Sequence, residues 1–97
     1  MLHDWIADEL RAMALADESP LAMADRVDAL LGFESSPTLL MAYFWRAFAV
    51  PLPQLAILGA WARFGGEVGD AELDRALRAA IEEQRPLWVG RRKPHEA

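Results

Sequence analysis

The sequence predicts an all-α fold: a compact bundle of about five short helices with a central apolar helical hairpin. Three observations carry this. Apolar residues recur at three- and four-residue spacing along most of the chain, the mark of helices with one buried face. Serine, proline and glycine recur as start and stop signals. Ala and Leu, both strong helix formers, dominate the composition, and no stretch alternates apolar and polar residues as a half-buried strand would. That layout puts about 65–75% of the residues in helix, against roughly a third in an average globular domain.

The first helix is expected from about Leu2 to Ala16. Leu2, Trp5, Ile6, Leu10 and Met13 share a stripe, while Asp4, Asp8, Glu9 and Arg11 take the other side. Acidic residues early in a helix suit its positive end. The second is expected from about Pro20 to Leu31, with Ser19 as N-cap and Pro20 at the first helical position. Leu21, Ala24, Val27 and Leu31 make its buried stripe. Gly32 suits a left-handed C-terminal cap, after which Phe33 is expected to fold back onto Val27.

The third helix opens the same way, with Ser36 and Pro37, and runs to about Ala49. It is apolar on all sides, and Arg46 is its only charge. The fourth is expected from Leu52 to Phe64, after the break at Pro51 and Pro53. Only Gln54 and Arg63 in it are strongly polar, and Gly65 and Gly66 stop it. These two helices form the central hairpin, because a helix that is apolar all round is normally buried on most sides. The fifth is expected from Asp70 to Gln84, with Asp70 as N-cap and Leu73, Leu77, Ala80 and Ile81 facing inward. Asp74 and Arg78 form a pair four residues apart on its surface. Pro86 ends that helix, and Leu87, Trp88 and Val89 pack back on the body. Residues 1–90 thus read as one domain and residues 91–97 as a flexible basic tail.

Composition narrows the function. A chain of 97 residues is one small domain, and at 54% hydrophobic it is too apolar to be disordered. It contains no cysteine, which excludes disulfides, Cys-ligated zinc, iron–sulfur clusters and thiol catalysis. The net charge is −5 and unevenly spread: residues 1–36 and 67–84 are acidic, the last residues are basic, and Arg46 and Arg63 alone are charged in between. The longest uncharged run, residues 47–62, contains Pro51 and Pro53 and falls short of the roughly 20 apolar residues of a membrane span. The segment Met1-Leu2-His3-Asp4-Trp5 has no basic region before an apolar run, so the cytoplasm is the expected compartment. Lys93 is the only lysine and asparagine is absent, a bias that reads as a GC-rich, bacterial coding sequence.

The inventory for chemistry is poor. His3 and His95 are the only histidines and stand at opposite ends, so no metal cluster is expected. The acid pairs Asp25–Asp28 and Asp70–Asp74 read as solvated helix faces. Ser19 and Ser36 are explained as caps. The run Gly65-Gly66-Glu67-Val68-Gly69 carries acids and no lysine where a phosphate loop needs the reverse. No cofactor and no catalysis are therefore expected. The alternative reading is a small helix-turn-helix-like DNA-binding regulator built on helices three and four. Against it, the second of those helices would offer only Gln54 and Arg63 to DNA, and the acidic balance opposes the phosphate term that dominates such affinity.

The aromatic residues are the unusual feature. Phe44 and Phe48 share one face of helix three, while Met41 and Trp45 lie about 100° round the axis. Both faces cannot point inward in so small a bundle. Met41, Trp45, Ile57, Trp61 and Phe64 are therefore expected to form a partner interface, where Trp, Met and other aromatic residues are favoured. The expected function is a non-catalytic protein-interaction module, such as an adaptor, inhibitor, immunity-type or assembly protein. Its partner would be another protein or a second copy in a homodimer.

Overall fold

Two serine–proline pairs set the helical frame. Ser19 Oγ accepts from the Ala22 amide at 3.0 Å and Ser36 Oγ from the Leu39 amide at 3.2 Å, so each helix begins with an orphan donor satisfied. The pairs open α2 (Pro20–Leu31) and α3 (Pro37–Phe48) in the computed structural model, which describes residues 2–91. Before them comes α1 (Asp4–Leu15), and after them α4 (Leu52–Leu55), α5 (Asp70–Glu83) and α6 (Arg85–Arg91). The fold is all-α: 80% of the described residues are helical and none of them forms a strand. Arg91 ends α6; the rest of the expected basic tail lies outside the described residues.

α3 is the central element. α1 packs along one side of it, α6 lies against it, and α2 joins it to α5. The core draws Ile6 and Leu10 from α1, Met23 and Val27 from α2, Leu40, Phe44 and Phe48 from α3, and Leu73 and Leu77 from α5. On α5 the buried residues are Leu73, Leu77, Ala80 and Ile81, the stripe that the spacing predicts.

Three local expectations are corrected. Phe33 does not fold back onto Val27: Gly32, at φ 61°, leads into a 3₁₀ turn over Gly32–Glu34 that leaves the ring fully exposed. Asp70 does not cap α5. Gly69 takes that position, and the Asp70 carboxylate accepts the Trp61 indole N–H at 2.8 Å instead. After α5 stops at Glu83, Pro86 sits in the first turn of a further helix, where its missing N–H leaves no bond unmade. That helix places Trp88 in the core, edge-on to Phe48 at 5.1 Å, with its indole N–H donating to the Ile81 carbonyl at 3.0 Å.

The second arm of the hairpin is not one continuous α-helix. One α turn, Leu52–Leu55, passes into a 3₁₀ helix over Ala56–Ala60, an extended Trp61, and a second 3₁₀ turn over Ala62–Phe64. The apolar residues explain it. Leu52, Leu55, Leu58, Trp61 and Phe64 stand three apart. On an α-helix that spacing winds round the axis; at three residues per turn it stays on one side. Leu55, Leu58 and Trp61 are all fully buried, while Ala56, Gly59 and Ala62, the residue after each, are exposed. The segment then folds back on itself. The Val68 amide donates to the Ala60 carbonyl and the Ala62 amide to the Val68 carbonyl, each at 2.8 Å.

Gly66 makes that return possible, because a Cβ built on it would land inside the Ala60 peptide group. Gly66→Ala should therefore break the Ala60–Val68 bonding and lower the melting temperature clearly. Trp88→Ala should cost about 3–5 kcal/mol in denaturant unfolding, the usual range for emptying a buried aromatic site. Leu87→Ala, at an exposed neighbour, should change stability by less than about 0.5 kcal/mol. Equal effects at Trp88 and Leu87 would show that α6 does not seal the core.

Candidate functional site

The rotation of α3 sorts its side chains into two faces. Tyr43, Phe44, Ala47 and Phe48 are buried, whereas Trp45 keeps 51% of its surface exposed. Thr38, Met41, Ala42 and Trp45 stand at i, i+3, i+4 and i+7 and share the outer face. Leu52, 57% exposed, stands beside them at the start of α4. These five residues line a shallow open groove with no charged side chain in it. Met41 reaches across to the following 3₁₀ helix, where a Cβ on Gly59 would lie 3.8 Å from its Cε atom.

The edge of the groove toward α1 is polar and internally paired. Arg46 forms an ion pair with Asp4. Arg11 pairs with Asp8 at 2.5 Å and donates to the Ala47 carbonyl at 3.1 Å. These contacts tie α1 to the last turns of α3. As exposed ion pairs they add at most about 1 kcal/mol each. Among the described residues they leave the groove on the outer face of α3 uncharged and, Thr38 apart, apolar.

The interface residues expected from the sequence separate into two groups. Met41 is half-buried and Trp45 half-exposed, and both line the groove. Ile57 is half-buried on the 3₁₀ helix. Phe64 is half-buried, with its ring edge-on to Trp61 at 5.8 Å. Trp61 itself is corrected: it is fully buried and offers no surface to a partner. The three-residue spacing turns it inward, Asp70 satisfies its indole, and the Arg63 guanidinium covers its ring at 4.5 Å. Thr38, Ala42 and Leu52 are groove residues absent from the set expected from the sequence. The signal is present for two of them, since positions 38, 41, 42 and 45 make one helical seam.

The acid pairs prove to be structural. Arg63 reaches from its ring contact to Asp25 at 2.6 Å and Asp28 at 3.1 Å, and the Ser35 hydroxyl donates to Asp28. Asp74 accepts the Leu21 amide at 2.9 Å, so an acid of α5 sits at the positive end of α2, and it also binds Arg78 at 3.2 Å. No group of three or more metal-binding side chains occurs among the described residues, and no described helix is long and apolar enough to cross a membrane. The segment expected as the second helix of a helix-turn-helix-like pair is one α turn followed by 3₁₀ turns.

No family model matches the chain, and no match is found among curated proteins or solved structures.

The two tryptophans should respond in opposite ways to a charge. Trp45→Glu should keep the wild-type circular dichroism spectrum and move unfolding stability by no more than about 1 kcal/mol, as surface changes do. Trp61→Glu should unfold the domain, because it empties a fully buried indole site and sets a second carboxylate against Asp70, which loses its N–H donor. Unfolding by both variants would place Trp45 in the core.

Proposed function

We propose that the protein is a non-catalytic interaction module that docks another polypeptide on the outer face of α3. One observation carries the reading: a half-exposed Trp45 set among Thr38, Met41, Ala42 and Leu52, in a groove without charge. Tryptophan and methionine are enriched at interface cores, where charged residues are depleted. A helix that offers uncharged positions at i, i+3, i+4 and i+7, here Thr38, Met41, Ala42 and Trp45, suits another helix laid along it. The acidic surface elsewhere keeps the molecule soluble and directs contact toward the uncharged face.

Site-specific photocrosslinking in the native host tests this. A photoreactive phenylalanine analogue replaces Trp45 in one variant and the exposed Glu82 of α5 in the other. Position 45 should give a discrete adduct band of higher mass, and position 82 should give none. No adduct from position 45, or equal adducts from both, would defeat the reading.

A further inference from the structure

We infer that the partner on this face is a second copy of the chain, with α3 packed antiparallel on α3 about a two-fold axis between Met41 and Ala42. The inference rests on reading the outer face of α3 as an interface. It adds the occupant and the register.

The order of residue sizes along the seam carries the argument. Thr38 and Ala42 are small; Met41 and Trp45 are large. A two-fold axis at the middle of the seam sets Thr38 of one copy against Trp45 of the other, and Met41 against Ala42. Every large side chain then meets a small one, the alternation by which facing helices interdigitate. A parallel pairing in register would instead set Trp45 on Trp45 and Met41 on Met41. Two-fold pairing of one patch with itself is also the commonest form of self-association. Leu52 stands beside Trp45 and extends each end of the seam toward the start of the opposite α3.

Charge permits this contact and gives it a testable sign. No charged side chain lies on the seam, and Arg46 at its edge is held by Asp4 of its own chain. Two chains of net charge −5 repel at long range, so screening salt should strengthen their association. Docking of a basic partner would respond in the opposite way. Four side chains and Leu52 bury less than the roughly 800 Å² per partner of a standard interface. The dimer is accordingly weak and its mass depends on concentration.

Sedimentation equilibrium of the full chain, from about 10 μM to about 1 mM, tests the pairing. The wild type should rise from its monomer mass of 10.8 kDa toward twice that value, and at lower concentration as salt is added. Thr38→Glu and Trp45→Lys lie at exposed positions and should each remain monomeric, with wild-type circular dichroism. An equimolar mixture of the two should regain the dimer, because the register sets position 38 of one copy against position 45 of the other. A wild type that stays monomeric at about 1 mM overturns the inference, and so does a dimer that weakens with salt. A mixture that fails to recover while the wild type dimerises overturns the register and with it the proposal. A monomeric wild type whose position 45 crosslinks to a chain of different mass overturns the pairing and leaves the interaction reading standing. A monomer with no crosslink defeats both.

Discussion

An α-helix turns by about 100° per residue, and on α3 that rotation decides most of the molecule. Phe44 is fully buried and its neighbour Trp45 is 51% exposed. The side that holds Tyr43, Phe44, Ala47 and Phe48 is where the other elements gather. α1 is fastened there by the His3 amide donating to the Tyr43 hydroxyl at 2.9 Å and by Arg11 on the Ala47 carbonyl. α6 is fastened by Trp88 against Phe48. With α1 on one flank and the 3₁₀ helix on the other, none of the elements among the described residues covers the arc from Thr38 to Trp45. The open face follows directly from the core.

The helices legible in the sequence are those whose ends carry their own chemistry. Ser19 and Ser36 with the following prolines mark α2 and α3, and the Leu73–Leu77–Ile81 spacing marks α5. The spacing along α3 separates the Phe44–Phe48 face from the Met41–Trp45 face, and which of the two the core takes depends on the elements that pack round the helix. Residues 52–64 are not legible in this way, because an apolar spacing of three does not fit an α period. On that period the segment is apolar on all sides and demands a partner for each side. With the 3₁₀ helix following the α turn, Leu55, Leu58 and Trp61 fall on one buried side, and Leu52 alone of the first three leucines stays exposed. This is why Trp61 turns inward and Phe64 packs edge-on against it, while Met41 and Trp45 stay on the open face.

The acidic residues show a second limit on what sequence alone can say. Asp25 and Asp28 have the spacing of a solvated pair, and their partner Arg63 lies more than thirty residues along the chain. Asp70 has the residue type of a cap and serves an indole; Asp74 has the residue type of a surface ion pair and also holds the first turn of α2. Each role depends on which element arrives alongside, and local periodicity carries no information about that. Together Asp25, Asp28, Asp70 and Asp74 hold the segment after α4, α2 and α5 to one another. Their acidity is thus part of what closes the bundle.

Exposure alone does not single out Trp45, since Trp5, Phe33 and Leu87 are at least as exposed. Two properties separate it. The buried tryptophans each donate their indole N–H within the protein, Trp61 to Asp70 and Trp88 to Ile81, as buried polar groups must. Among the described residues neither Trp5 nor Trp45 has such a partner, so neither is held as a core residue is. Trp5 then differs from Trp45 in its neighbours. It follows Asp4 in the chain, and Asp8 and Glu9 are the next residues along its outer side, so it is a single apolar side chain in a charged surface. Scattered exposures of that kind are normal on soluble proteins. Trp45 adjoins Met41, Ala42 and Leu52 in one uncharged groove. Contiguity, with an indole that has no partner among the described residues, is what makes the α3 face the strongest candidate for contact with another chain.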